Sequence, residues 1–243
     1  MSSKTGQSRR RFLQGTAALA PAAAAGAAYA QVTPEQKDIG QSAPAAPTFT
    51  EPDYKPGYFT PDEWRFVLAA CDRLIPKDEI GPGAVELGVP QYIDRQLQTA
   101  YGDGGRWYMQ GPFHAAAPEF GYQSKLTPKQ QYRLGIRAID AHCQQSFGKV
   151  FADLSSEQQD GVLKDVEGGK LKNDEVPLAT FFTSFLLKNT LEGFFGDPMY
   201  GGNKDMAAWK MIGYPGVRAD FIDWVDKAKA YPYGPVSIYG QRV

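Results

Sequence analysis

The sequence predicts an all-α protein, an irregular single-domain helical bundle with long aromatic and glycine-rich loops. Two observations carry that expectation. Apolar residues recur at spacings of three and four in several separate stretches, while no run alternates apolar and polar residues for long enough to make a strand. The stretches also open at helix-capping residues and stop at glycine or proline, and no internal repeat suggests a solenoid. The bundle is assigned to residues 58–243, behind an export leader at residues 1–30 and a disordered linker at residues 31–57.

The leader is read from Ser8-Arg9-Arg10-Arg11-Phe12-Leu13, followed by a short, weakly apolar run that ends in Ala28-Tyr29-Ala30. Paired arginines Arg9 and Arg10, then Phe12 and Leu13, then small residues suited to cleavage after Ala30 make the pattern of a twin-arginine signal, recognised by the twin-arginine (Tat) translocon. The run is mostly alanine and is interrupted by Pro21 and Gly26; a bilayer span wants about 20 strongly apolar residues. It therefore reads as a signal and not an anchor, and it addresses the chain to the periplasm. Gln31 to Gly57 is rich in Pro, Ala, Gln and Thr without an apolar period, the composition of an extended linker.

The domain is expected to start near Phe59. Thr60-Pro61-Asp62-Glu63 is a capping box with proline at the first helical position, and Trp64, Val67, Leu68, Cys71, Leu74 and Ile75 follow along one face until Pro76. A turn at Gly81-Pro82-Gly83 leads to a second helix, whose later part, Gln91 to Tyr101, presents Tyr92, Ile93 and Leu97. Gly102 to Tyr122 has no sustained period and reads as a long aromatic loop. Thr127-Pro128-Lys129-Gln130 repeats the capping logic ahead of a stripe at Tyr132, Ile136, Ile139, Cys143 and Phe147. Leu154-Ser155-Ser156-Glu157-Gln158 opens a shorter helix that Gly168-Gly169 closes. Leu178 to Phe195 is apolar on nearly all sides, which predicts a central helix, too short and too polar at Lys188, Asn189 and Glu192 to span a membrane. A Gly-rich loop from Gly196 to Asn203, a short helix around Met206 to Met211, a last helix from about Arg218 to Lys229 with Phe221, Trp224, Val225 and Ala228 inward, and an extended tail complete the reading.

Composition narrows the function classes. Lys plus Arg (26) nearly cancel Asp plus Glu (27), so no strong field gathers nucleic acid, and none is expected as a partner. Two cysteines and two histidines leave little material for a zinc site or an iron-sulfur cluster. No Gly-x-Gly-x-x-Gly follows a strand, and no Cys-x-x-Cys-His, Walker A or Gly-x-Ser-x-Gly occurs. No catalytic, cofactor-binding or metal-binding residue is therefore assigned. His114 falls in the aromatic loop and reads as solvent-facing; His142 and Cys143 are adjacent, and neighbours on a helix diverge by about 100° and do not pair. Cys71 and Cys143 both lie on core-facing stripes, which leaves an internal disulfide, a bridge to a partner, or two buried thiols open in an oxidising compartment.

The words Asp72-Arg73-Leu74-Ile75-Pro76, Arg106 to Phe113, Glu192-Gly193-Phe194-Phe195-Gly196-Asp197-Pro198, Tyr200-Gly201-Gly202-Asn203 and Trp209 to Gly216 resemble the gluconate 2-dehydrogenase subunit 3 family. The resemblance implies the small subunit of a periplasmic dehydrogenase for a sugar, polyol or sugar acid, peripheral to the inner membrane. Its partners would be an FAD-dependent large subunit of the glucose-methanol-choline (GMC) type and a membrane-bound multihaem cytochrome c. FAD and haem c would then sit in those partners and none in this chain, which acts as Tat escort and stabiliser. Trp107, Tyr108, Phe113, Tyr200 and Trp209 are the candidate partner interface, since aromatics bury large areas at low entropy cost; the same residues could instead close the domain's own core. Two rival readings remain, a free-standing periplasmic assembly or binding protein, and an enzyme with an unrecognised site around Asp197 and Tyr200.

Overall fold

The computed structural model describes residues 54–114 and 117–243. The export-signal residues Arg9, Arg10, Phe12 and Leu13, the cleavage position Ala30 and the linker up to residue 53 lie outside the described residues.

Among the described residues seven α-helices make the bundle: α1 (Pro61–Leu74), α2 (Val89–Leu97), α3 (Pro128–Phe147), α4 (Ser156–Glu167), α5 (Leu178–Phe181), α6 (Lys188–Phe195) and α7 (Ala207–Ile212). No strand forms among the described residues; two isolated bridges join Val236 to Gly216 and to Arg242. The starts of α1, α3 and α4 are set by complete capping boxes, Thr60 with Glu63, Thr127 with Gln130 and Ser155 with Gln158. In each, the side chains satisfy backbone N–H groups that have no partner within the helix.

The expected central helix is interrupted. Between α5 and α6 the chain winds as a π-helix, Phe182–Leu187. Its Phe185 carbonyl accepts a bond from the buried Tyr132 hydroxyl at 3.3 Å. This stretch is the hub of the fold: α5 packs on α3 and α4, the π-helix on α3 and α4, and α6 on α2 and α7. Phe181, Phe182, Phe185, Leu186 and Phe194 are all buried there. Two glycines let the helices approach. A Cβ at Gly135 would lie 2.5 Å from the Phe181 ring, and one at Gly193 would lie 2.7 Å from the Tyr92 ring.

Several expectations are corrected. α1 buries Phe66, Val67, Ala70 and Cys71, with Phe66 against Phe151 at 4.8 Å between ring centres, so the buried face is rotated from the expected stripe. α2 stops at Leu97 and not at Tyr101. Phe147, the last member of the α3 stripe, is 40% exposed, because α3 outruns the core before Gly148 caps it in the left-handed region. The last helix is a short 3-10 turn, Ala219–Trp224, that buries nothing. Its aromatic residues pack on one another instead: Tyr231 stacks edgewise on Phe221 and Trp224, and Arg218 lies over the Tyr231 and Tyr233 rings. Finally, Tyr54 and Gly57, placed in the linker by composition, are bonded to Asp94 on α2.

Candidate functional site

The long loop between α2 and α3 is fastened at its root. Gly102 O accepts from Lys129 N at 3.1 Å, and Lys129 Nζ donates to Asp103 Oδ1 at 2.7 Å. Trp107 then turns inward and sits against Tyr122 (4.9 Å), Tyr101 (6.0 Å) and Phe185 (6.3 Å). Trp107 is half-buried and packs on the core, which is the second of the two roles open to it from sequence. Beyond it, Tyr108 is 81% exposed, Phe120 74% and Phe113 36%. The loop therefore holds Trp107 with Tyr101 and Tyr122 against the core and presents three aromatics to its surroundings.

The Gly-rich loop is built the same way. Asp197, buried, accepts Met199 N on Oδ1 at 2.9 Å and Ile238 N on Oδ2 at 2.8 Å. Asn203, also buried, donates to Gly196 O and accepts from Ala208 N. A Cβ at Gly202 would fall 2.0 Å from Gly193 O, so the loop lies directly on α6. Three non-glycine residues nearby, Asn203, Asp205 and Met206, have φ between 46° and 56°, a conformation that costs side-chain-bearing residues energy and persists where the surroundings dictate it. Tyr200 is 48% exposed on this loop. Trp209 is not: it is 5% exposed, donates from Nε1 to Phe195 O at 2.6 Å and meets Tyr214 edgewise, so it too belongs to the core. An apolar groove of about 430 Å³ opens beside it, lined chiefly by Phe195, Trp209, Ile212, Tyr214, Val217 and Ile238.

The buried polar groups are organised for stability. Tyr101 donates to Asn189 Oδ1, and Asn189 Nδ2 donates to the Tyr132 hydroxyl, each at 3.1 Å. Burial pushes the Tyr101 phenol up to about 12 and raises Tyr132 as well, so both stay protonated. Cys71 and Cys143 are free, buried thiols with no S–S bond between them. Cys71 Sγ instead lies 3.7 Å from Thr190 Oγ1 on α6. Burial lifts both thiols to about 12, which removes the thiolate a nucleophile requires. Asp197 has both oxygens engaged by backbone N–H groups, which ties the C-terminal segment at Ile238 to the Gly-rich loop.

His114 is exposed in the aromatic loop, and His142 is half-buried. Among the described residues no three His, Cys, Asp or Glu side chains gather as a metal would require, and no helix is long and apolar enough to cross a membrane. Sequence reasoning missed Asp94, which is fully buried. The signal was present, since Asp94 sits beside Ile93 within the buried face of α2, where a carboxylate needs several donors.

The two fastened loops leave Tyr108, Phe113 and Tyr200 exposed, while Trp107 and Trp209 pack inward. A family model described as gluconate 2-dehydrogenase subunit 3 matches residues 61–216, well over half of the chain. No curated protein and no solved structure matches it.

Proposed function

The chain belongs to the gluconate 2-dehydrogenase subunit 3 family, and from that premise we propose that it is the non-catalytic small subunit of a periplasmic, membrane-linked flavoprotein dehydrogenase. In this reading an FAD-bearing large subunit oxidises a sugar, polyol or sugar acid, and a multihaem cytochrome c takes the electrons towards the membrane. The small subunit stabilises the large one and carries it through the Tat translocon. Cofactors belong to the partners.

The observation that carries the reading is the contrast within the five aromatics. Trp107 packs its loop on the core and Asp197 and Asn203 fasten the Gly-rich loop beside the buried Trp209, which leaves Tyr108 and Tyr200 exposed next to these holds, and Phe113 partly exposed. Rigid, exposed aromatics are favoured anchors because little further ordering is needed on binding. The paired arginines Arg9 and Arg10 ahead of the domain support the escort role.

The test is to coexpress the chain with its flavoprotein, delete Ser2 to Ala30 in a parallel strain, and measure where the flavoprotein accumulates. Retention in the cytoplasm is expected on deletion; undiminished periplasmic dehydrogenase activity would defeat the escort role.

A further inference from the structure

Asp94 on α2 is fully buried, and donors converge on it from far back in the chain. Oδ2 accepts the Tyr54 hydroxyl at 2.7 Å, Gly57 N at 2.8 Å and Gln98 Nε2 at 2.7 Å. Oδ1 accepts Tyr58 N at 3.0 Å and Phe59 N at 3.1 Å. Three consecutive backbone N–H groups thus close around one carboxylate, an arrangement that binds anions well and makes each bond charge-assisted.

The neighbouring Arg95 extends the junction. Its guanidinium lies over the Tyr54 ring at 5.2 Å, and it abuts Gly201, where an added Cβ would sit 2.6 Å from Nη1. The segment entering the domain is therefore held beside the Gly-rich loop that carries exposed Tyr200. A second hold comes from Arg133 on α3, which donates to Tyr58 O at 3.0 Å and lies over the Tyr58 ring.

Apart from Gln98, these donors precede Asp94 by 35 to 40 residues. Closing a loop of that length costs chain entropy that only the packed helices repay, so the contact exists when α1 and α2 are docked and vanishes when they are not. We propose that Asp94 is a fold-dependent anchor for the N-terminal segment. It fixes Tyr54 to Phe59 against α2, beside the Gly-rich loop that carries Tyr200. Resting on the export reading above, the anchor makes display of the Tat signal from a fixed site conditional on a folded domain.

The experiment uses the full chain with Asp94→Asn, whose amide nitrogen would face donors in place of an accepting oxygen. Tyr54→Phe, which removes one hydroxyl donor and keeps the ring, serves as the milder companion. Amide hydrogen exchange at Gly57 is expected to quicken at least about tenfold in Asp94→Asn and by a few-fold in Tyr54→Phe. Phe59 should respond less, because Arg133 still holds its neighbour, and Ile136 and Ile139 in α3 should not change. Unaltered Gly57 exchange in Tyr54→Phe, or in a folded Asp94→Asn, overturns the anchor. Export is followed in the same cells by the processed fraction, expected to drop in Asp94→Asn. A wild-type chain that stays in the cytoplasm sinks the export reading, while Gly57 exchange still decides the anchor.

Discussion

Burial lifts the Cys71 thiol to about 12, against an ordinary value near 9. The unfolded chain therefore releases that proton at lower pH than the folded one, and between those values the native state holds more protons. Stability should be independent of this group below about pH 9 and fall above it, by up to about 1.4 kcal/mol per pH unit. Chemical denaturation of wild type and Cys71→Ala from pH 7 to 11 checks this; an equal alkaline decline in both would show that Cys71 is not responsible. Native protein should also resist iodoacetamide at pH 8 and react once unfolded. The aromatics divide just as sharply. Trp209→Ala removes a buried ring and orphans the Phe195 carbonyl, for a loss of about 3–5 kcal/mol, whereas Tyr108→Ala should change stability by no more than about 0.5 kcal/mol. In a pull-down of the proposed flavoprotein partner, Tyr108→Ala and Tyr200→Ala should weaken capture although their melting curves match wild type. Undiminished capture by the double variant would remove these side chains from the interface.

At the scale of helices, the capping boxes at Thr60 and Thr127 were readable because each is local and needs only a partner three residues ahead; the same logic holds at Ser155. Thr127→Ala should cost about 1 kcal/mol. Helix crossings were not readable, since a glycine in a helix says nothing about what lies above it. Gly135→Ala sets two effects against each other. Alanine gains about 1 kcal/mol of helix propensity, but its methyl would lie 2.5 Å from the Phe181 ring, and overpacking of that kind costs about 1–3 kcal/mol. Net destabilisation is expected, and a raised melting temperature would mean that α3 and α5 separate more easily than their contact suggests. The expected helix from Arg218 to Lys229 failed for a related reason. Its apolar spacing is real, but Phe221, Trp224 and Tyr231 satisfy one another, and the segment has no core face to lie on.

For the whole molecule, the sequence made an all-α bundle with a buried central segment legible through periodicity alone, together with the family words that fall on its two fastened loops. Which aromatics anchor and which are presented was not legible, because Trp107 and Tyr108 differ only in which way the backbone turns them. The distant donors of the buried carboxylates were equally illegible, since Tyr54 to Phe59 lie 35 to 40 residues from Asp94 and Ile238 lies 41 from Asp197. The π-helical stretch carries a further implication for the assembled bundle. Such a bulge accommodates one residue more than regular winding would, and each residue in an α-helix advances the facing direction by about 100°. Excising a single residue from Phe182–Leu187 would thus do more than shorten the hub. It would swing Asn189, Thr190 and Gly193 away from the phenol, the thiol and the tyrosine ring they now meet, so the length of this one stretch sets the phase in which the two halves of the protein mesh.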